Sequence, residues 1–478
     1  MRQRVALPPD AAALAAGLAA TVLASAWVVR VPGETAFVSL AGPVAFAAAA
    51  VLFALRPHIA FAAVIPFFAF TPMLKVFVDE RIGAVKDLIV LAASVAAAAV
   101  FLQRRGDTRG VADTAVIVIA ALIATMYVLN VGGNLTGGDA YGSAWFHGVR
   151  LRLEPLVLFV AALVLPDPRR SLRFAATSTI ATACVVSVYG LMQQVLGGER
   201  LVELGYEYGS ELRTIEGQLR SFGTFDTPFT YAAFLTLALG VTLLWPLRTS
   251  VRLAALSLIV AGLAVSFVRT TAVIAVALLA LWIAQRGYRR AAVLLTAVAI
   301  VAGLVLFSSL ESRTTRTVQA SPSLYLTLNG RTTIWQEHLG DNYAAWLVGD
   351  GVGAAGTAAT RAQASASPEI EPDPELGYTV DSGYFVTILD VGVVGLALLL
   401  LLLGRVALTA GRAASRTEAA GWVALAVFIT TIFTALTAEI FTDFPNAYLA
   451  MLLLGLAYAT ALASGGAESS GIRARARP

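Results

Sequence analysis

Four arginines lie at or between the predicted membrane segments. Arg152 is at the start of an apolar block, Arg220 precedes one, Arg269 separates two, and Arg331 stands in the segment N-G-R-T-T-I-W. An arginine near membrane hydrocarbon is unfavourable unless it is paired or faces a polar cavity, so each is a candidate functional residue. The guanidinium is a planar group of N–H donors that matches phosphate oxygens, and several around one cavity would suit a pyrophosphate. Each arginine taken alone has an alternative to phosphate binding. It could form a salt bridge between loops, or its aliphatic side chain could lie along apolar surface and place the guanidinium among the lipid headgroups.

Asp381 and His338 are candidate general bases. Asp381 stands in Y-T-V-D-S-G-Y-F, where a long polar segment gives way to an apolar block. A carboxylate there is able to take a proton from an acceptor hydroxyl, but an aspartate that caps a helix N-terminus is the commoner case. His338 follows Arg331 by seven residues, about two turns along one helix face, and we favour an interfacial polar role for it.

The sequence contains no recognisable metal or nucleotide motif. Cys184 is the single cysteine, and the three histidines His58, His147 and His338 are scattered along the chain. The glycine-rich stretch Gly349–Gly353 (G-D-G-V-G) follows no strand of a nucleotide-binding fold, so we interpret it as a turn. We therefore predict no metal ion, no cofactor and no nucleic-acid partner.

The elements that must position these residues are membrane helices. The 478 residues are 58% hydrophobic and 13% charged, whereas a soluble domain carries about 25% charged residues. The apolar residues form blocks of about 18–22, the length that crosses about 30 Å of hydrocarbon as a helix. Blocks such as Val386–Leu403 do not alternate as barrel strands would. We predict an all-α polytopic membrane protein with about 14 transmembrane helices (12–14).

The blocks set the bounds of the predicted helices. The apolar segment that follows the N-terminal residues runs to about Val29 without a small-residue cleavage site, so we interpret it as the first membrane helix. Helices 1–11 make up residues 1–308, an extracytoplasmic loop covers 309–382, helices 12–14 fall in 383–463, and a tail covers 464–478. The predicted helices are 10–30, 36–55, 58–72, 84–103, 111–129, 148–165, 172–195, 227–245, 251–267, 270–284, 291–308, 383–403, 420–440 and 446–463.

The distribution of arginine predicts the orientation of these helices. If the N-terminus is cytoplasmic, every second loop is rich in arginine and poor in carboxylates, as the positive-inside rule expects. Both termini are then cytoplasmic, and the four arginines and Asp381 lie on the extracytoplasmic side. Two outer segments, Leu196–Asp226 and Ser309–Asp381, exceed the length of about 12–15 residues beyond which loops are usually functional or disordered. Within the second, Thr332–Leu347 is predicted to be an amphipathic helix at the membrane surface.

Several short segments follow one another between about residues 200 and 405. They are R-S-F-G-T-F at 220–225 with Pro228, S-F-V-R-T at 266–270, G-R-T-T-I-W at 330–335, L-V-G-D-G-V-G at 347–353, and Asp381-Ser382 with G-V-V-G at 392–395. In this order and spacing they resemble the O-antigen ligase and O-antigen polymerase superfamily of bacterial membrane glycosyltransferases. The ligases carry a His-Asn-type pair, then nine residues, then Gly-x-x-Gly; this chain has Asp381-Ser382 in that place, which looks more like the polymerases.

The resemblance implies a metal-independent, inverting transfer or polymerisation of glycan in O-antigen or exopolysaccharide biosynthesis. The donor would be an undecaprenyl-pyrophosphate-linked glycan, and the acceptor a hydroxyl of a glycan or lipid, at the outer (periplasmic) face of the bacterial plasma (inner) membrane. Arg269 and Arg331 would bind the pyrophosphate and stabilise the leaving group. Arg220 is a third candidate for that contact and Arg152 a fourth, while Asp381 would take the acceptor proton.

Two other functions fit many of the same features. A transporter or flippase for lipid-linked sugars would also use many helices and charges in the membrane, but transporters often consist of two related halves, and the sequence shows no internal repeat. A non-catalytic scaffold of polysaccharide assembly would use Asp381 as a helix cap. The sequence predicts membrane lipids as further contacts and leaves the oligomeric state open.

Overall fold

The fold is a bundle of apolar helices. The structure is a computed structural model that describes residues 46, 48–79, 82–103, 114–130, 139–164, 166–207, 211–215, 217–288, 290, 343–358, 382–415 and 418–475. The predicted helices 10–30 and 291–308 lie outside these residues, as do the candidate site residues Arg331, His338 and Asp381. Only the end of the predicted amphipathic helix is described.

The described helices follow the apolar blocks of the sequence, and residues 48–55 are also helical. We number them α1 (Pro57–Phe77), α2 (Ile82–Gln103), α3 (Thr114–Leu129), α4 (Asp139–Leu163), α5 (Pro168–Glu203), α6 (Pro228–Leu244), α7 (Thr249–Ser266), α8 (Thr270–Gln285), α9 (Tyr343–Val348), α10 (Gly383–Ser415), α11 (Ala419–Thr434) and α12 (Asn446–Arg475). Two short strands, β1 (Arg213–Ile215) and β2 (Gln218–Arg220), form an antiparallel hairpin between α5 and α6.

The described helices have the properties of membrane spans. Six of them, α1, α2, α5, α7, α10 and α12, are long and apolar enough to cross a membrane, and α3, α6, α8 and α11 are shorter apolar helices. Valine and leucine side chains on the outer surface of the bundle are exposed, for example Leu91, Val195 and Leu408. Apolar side chains on an outer surface suit contact with lipid, so the chain is a mostly helical membrane protein.

Several helices differ in extent from the predicted spans. The predicted segment 58–72, short for a span, belongs to α1, which has 21 residues. The predicted span 420–440 is too long, because α11 ends at Thr434 and residues 435–445 form a connection to α12. In the predicted tail, α12 continues as a helix to Arg475. Polar residues continue α12 without a hydropathy signal, whereas apolar residues continue past the end of α11, so hydropathy alone gave other bounds.

Helix α12 lies at the centre of the bundle. It packs against α4, α5, α6, α10 and α11, and its residues from Ala447 to Ala461 are almost all buried. Gly455 lets α4 approach closely, since a Cβ there would lie 2.7 Å from the carbonyl oxygen of Phe159. Most of the core is one large apolar cluster that holds the helix ends in fixed relative positions, and a small second cluster lies at the β1–β2 hairpin.

Apolar helices that are consecutive along the chain run in opposite directions, and the two ends of the bundle carry different residues. At the end that we call the arginine end, Arg169 of α5 donates to Ser464 of α12 at 2.7 Å, and Arg248 precedes α7. At the other end, which we call the polar end, Asn446 of α12 donates to the carbonyl oxygen of Thr230 in α6 at 2.9 Å. The predicted outer-side residues that the structure describes lie at the polar end.

Candidate functional site

Arg213, Arg220 and Arg269 form a group at the polar end. Arg213 and Arg220 are opposite each other in the β1–β2 hairpin, which directs both side chains to one face. Nε of Arg220 donates to the carbonyl oxygen of Ser266 at 3.2 Å, and its guanidinium lies 4.6 Å from the ring centroid of Phe229. Arg269 follows three residues after Ser266 in the α7–α8 turn, and its side chain is exposed. The predicted break between these two helices is confirmed.

The arginine group is a concentration of positive charge. Burial and the charges of Arg213 and Arg269 lower the pKa of Arg220. Among the described residues, none of the three forms an ion pair with a carboxylate. Like charges held together without a counter-ion repel one another, and an anion would relieve that repulsion. The group therefore has the charge and the donors to bind a phosphate or pyrophosphate.

The R-S-F-G-T-F segment is fixed by hydrogen bonds on all sides. Oε1 of Gln193 accepts from the backbone N–H groups of Phe222 and Gly223 at 3.1 and 2.8 Å. The hydroxyl of Thr224 donates to the carbonyl oxygen of Ala69 in α1 at 2.6 Å. Gly223 has φ 57°, and a Cβ there would lie 2.7 Å from the ring of Tyr231. The positive φ and the nearby Tyr231 ring explain why position 223 is a glycine. The hydrogen bonds hold the backbone next to Arg220 in place.

Arg152 has a different environment from the arginine group. Its Nε and Nη2 bind Oδ2 of Asp390 at 2.7 and 2.5 Å, and the two side chains are 1% and 2% exposed. Nη1 donates to the hydroxyl of Thr387 at 3.4 Å, Nη2 donates to the carbonyl oxygen of Val386 at 3.3 Å, and the guanidinium lies over the ring of Tyr127. These contacts occupy the donors that a pyrophosphate would need. The geometry favours the salt-bridge interpretation of Arg152 over the predicted phosphate contact.

The glycine-rich segment 349–353, predicted to be a turn, is a turn that packs on α10 and α4. Oδ1 of Asp390 accepts from the backbone N–H groups of Gly353 and Ala355 at 3.2 and 3.4 Å. The N–H of Val352 donates to the carbonyl oxygen of Asn130 at 3.0 Å. Gly353 has φ 90°, and a Cβ there would lie 2.2 Å from the carbonyl oxygen of Ala144. Asp390 thus binds Arg152 with one oxygen and this segment with the other.

Glu439 binds the continuation of the same segment. Its Oε2 accepts from the backbone N–H and the hydroxyl of Thr357 at 3.1 and 3.0 Å, and from the hydroxyl of Thr442 at 3.4 Å. Burial raises the pKa of Glu439, although the hydrogen bonds from Thr357 oppose that shift. Asp390 and Glu439 therefore attach residues 353–357 to the polar end at two points.

A second charged network lies inside the bundle near the polar end. Nζ of Lys86 contacts Oδ1 of Asp87 at 2.5 Å, Oε2 of Glu154 at 2.7 Å and the hydroxyl of Tyr448 at 3.2 Å. The hydroxyl of Tyr448 also donates to Glu154, and Arg150 pairs with Asp87 at 2.9 Å. These charges are matched within the network, so it joins α2, α4 and α12 rather than offering an open site.

Ser382, the residue after Asp381, and Gly383 contact the connection between α11 and α12. The hydroxyl of Ser382 donates to the carbonyl oxygen of Ala435 at 3.1 Å. The N–H of Gly383 donates to the carbonyl oxygens of Ala435 and Ala438 at 2.9 and 3.0 Å. The start of α10 is therefore held against the connection that carries Glu439.

Sequence reasoning missed Asp390, Glu439, Lys86 and, in the arginine group, Arg213. A signal existed for two of them: Asp390 is an acid inside the apolar block Val386–Leu403, and Lys86 lies at the start of another such block. An ionisable residue in such a place is functional or paired by default. Glu439 gave no such signal, because hydropathy assigned it to a helix end. Among the described residues, no group of three or more histidine, cysteine, aspartate or glutamate side chains is arranged to hold a metal ion.

No protein-family model matches the chain, and no curated protein matches it either. The chemistry of the polar end and the resemblance of the segments between about residues 200 and 405 are therefore the basis for a proposed function.

Proposed function

We propose that the chain is a glycosyltransferase that uses a polyprenyl-pyrophosphate-linked glycan as donor and a hydroxyl of a second glycan or lipid as acceptor. The observation that carries the proposal is the group of Arg213, Arg220 and Arg269, which has no ion-paired carboxylate among the described residues. A pyrophosphate diester supplies the negative charge that this group lacks. Its position at the end of a membrane bundle suits a donor whose lipid stays in the bilayer.

The proposed reaction needs two kinds of protein group. The acceptor oxygen bonds to the anomeric carbon of the donor while the bond from that carbon to the pyrophosphate breaks, which inverts the anomeric centre. The electron pair moves onto the polyprenyl pyrophosphate, and Arg220 and Arg269, with Arg331, stabilise the charge that develops there. Asp381 is the group proposed to take the proton of the acceptor hydroxyl. No nucleotide is required, because the donor already carries its leaving group.

The proposed orientation assigns the polar end to the extracytoplasmic side. The arginine end carries Arg56, Arg169, Arg248 and Arg286, and the positive-inside rule favours a cytoplasmic location for such an end. A lipid-linked glycan at the outer leaflet would then meet the arginine group. In this proposal the membrane is the bacterial plasma membrane, and the pathway is the assembly of O-antigen or exopolysaccharide.

The test is glycan transfer in proteoliposomes that contain an undecaprenyl-pyrophosphate-linked oligosaccharide as both donor and acceptor. R220A and R269A are each expected to lose about a hundredfold or more in rate, because each removes a donor to the leaving group. R248A is the matched control, since Arg248 is exposed at the start of α7 whereas Arg269 follows the other end of that helix. Wild-type rates in R220A and R269A would rule out the proposed role of the arginine group.

The same preparation separates the alternative functions. Movement of the lipid-linked glycan between leaflets, without a new glycosidic bond, would indicate a transporter or flippase. Transfer by D381N at the wild-type rate would exclude Asp381 as the base. A ladder of product lengths is expected for a polymerase, and a single addition for a ligase. If the wild-type protein neither transfers nor moves the glycan, the scaffold function is favoured.

A further inference from the structure

The two carboxylate oxygens of Glu439 have unequal surroundings. Oε2 accepts from Thr357 and Thr442, as described above. Oε1 is buried and has no hydrogen-bond partner among the described residues. A buried carboxylate oxygen without a donor is unfavourable, and native structures rarely contain one without a reason. The missing partner of Oε1 is therefore a feature to be explained.

The three contacts to Oε2 fix the carboxylate. Thr357 holds it with a backbone and a hydroxyl donor, and a Cβ at Gly356 would lie 2.7 Å from each carboxylate oxygen. A side chain held in this way cannot rotate Oε1 toward another donor without losing the contacts to Oε2. The geometry is typical of a preorganised binding group rather than of a mobile surface acid.

Glu439 belongs to the connection that contacts the residues after the candidate base Asp381. The connection 435–445 accepts hydrogen bonds from Ser382 and Gly383, which directly follow the candidate base Asp381. The same connection leads to Asn446, which donates to Thr230 next to Phe229, the ring under Arg220. The connection therefore reaches from the start of α10 to the arginine group.

We propose that Oε1 of Glu439 accepts a hydrogen bond from a hydroxyl of the acceptor sugar, which makes Glu439 an acceptor-binding residue. This inference rests on the proposed glycosyl transfer. A sugar hydroxyl is a neutral donor, and it can approach a desolvated carboxylate without bringing a charge into the site. The role differs from that of Asp381, because Glu439 orients the acceptor and does not take the proton of its reacting hydroxyl.

The test is the dependence of the initial rate on acceptor concentration, with a water-soluble oligosaccharide of the same repeat as the acceptor. E439Q is expected to raise the acceptor KM about tenfold or more while kcat changes less, because a charge-assisted hydrogen bond is lost. E418Q is the matched control: Oε2 of Glu418 is also buried without a partner among the described residues, but Glu418 precedes α11 at the arginine end. An unchanged acceptor KM in E439Q overturns the proposal.

T357V separates binding from structure. It removes one of the donors that fix Oε2 and leaves Oε1 and the charge of Glu439 in place, so its acceptor KM is expected to rise by less than that of E439Q. If T357V and E439Q raise the acceptor KM equally and lower Tm equally, the effect of E439Q is structural and the proposal is overturned.

A direct measurement of the affinity for the acceptor oligosaccharide makes the test independent of turnover. The oligosaccharide is titrated into detergent-solubilised wild-type protein and into E439Q by calorimetry. If the wild type binds the oligosaccharide and E439Q binds it about tenfold more weakly, the role of Glu439 is supported. This holds even if no transfer is detected, in which case only the proposed reaction fails. Equal affinity, or no affinity in either protein, overturns the role of Glu439.

Discussion

Asp390 connects three separate parts of the bundle through one side chain. Oδ2 binds Arg152 of α4, Oδ1 accepts from Gly353 and Ala355, and the residue itself belongs to α10. Two charges that leave water lose their hydration, and the loss is offset only when each fills the hydrogen-bonding capacity of the other. Arg152 and Asp390 therefore stabilise the bundle as a pair, and neither is expected to do so alone.

Removal of either partner should expose this dependence. D390N and R152M are each expected to lower the free energy of unfolding by about 3–5 kcal/mol, since each leaves the other charge buried and unpaired. The double variant is expected to lose less than the sum of the two single losses. Chemical unfolding in detergent measures all three, with R248M at an exposed position as the control. Strictly additive losses would contradict the pairing.

The pH dependence of acceptor binding follows from Glu439. Burial raises the pKa of this carboxyl above the ordinary value of 4.5, with Asp390 adding to the shift and Thr357 and Arg152 opposing it. The ionised form accepts the sugar hydroxyl, so affinity is full above the raised pKa and falls as pH drops through it. We expect the affinity to fall at a higher pH than an exposed glutamate would give. Calorimetric titrations across pH measure this, and a pH-independent affinity in the wild type would contradict it.

The sequence predicted two of the three residues of the arginine group, Arg220 and Arg269, and fewer of the carboxylates. Arg220 and Arg269 were found because each interrupts or borders apolar residues, and the structure brings them close together. Arg152 was also found, but its partner was not, since Asp390 lies 238 residues further along the chain. Pairing over such a separation depends on the packing of α4 against α10, which no local pattern encodes. Local chemistry was therefore predictable at these positions, and the partners were not.

At the scale of elements, the break in α10 shapes the polar end. Gly392 has φ 69° and ψ 179°, which interrupts the helix two residues after Asp390. A Cβ at this glycine would lie 2.1 Å from the carbonyl oxygen of Leu347 in α9. The break therefore lets α9 pack directly on α10 and keeps the glycine-rich segment within reach of Asp390.

Substitution of this glycine tests the role of the break. G392A is expected to lower the free energy of unfolding by at least about 1–3 kcal/mol, because alanine is strained at this φ and its Cβ meets α9. Gly404 is the control in the same helix: a Cβ there meets nothing within 4 Å, so G404A is expected to be neutral or slightly stabilising. Unfolding of both variants in detergent provides the comparison. Equal stability of G392A and the wild type would contradict the proposed constraint.

Element bounds were predictable where hydropathy changes sharply. The predicted helices 251–267 and 270–284 are separated at Arg269, and the structure confirms this break. The β1–β2 hairpin was missed, because strands of three residues leave almost no periodic signal. The end of α11 at Thr434 was missed as well, since apolar residues continue into the connection that carries Glu439.

The whole molecule separates charge between its two ends. Ion pairs and carboxylates gather at the polar end, whereas the arginine end carries mainly basic residues. The alternation of arginine-rich loops predicted this separation, because each membrane helix reverses the direction of the chain. Sequence reasoning therefore predicted which residues share an end, but the packing within that end came only from the structure.

The orientation of these ends is open to a direct measurement. Cys184 is the single cysteine, so C184S provides a cysteine-free background for two variants at exposed positions, T214C in β1 and S250C at the start of α7. If the polar end is extracytoplasmic, a membrane-impermeant maleimide should label T214C in intact bacterial spheroplasts. S250C should react only after the membrane is permeabilised, because it lies at the arginine end. The reverse pattern would contradict the orientation, and with it the supply of an outer-leaflet donor to Arg220 and Arg269.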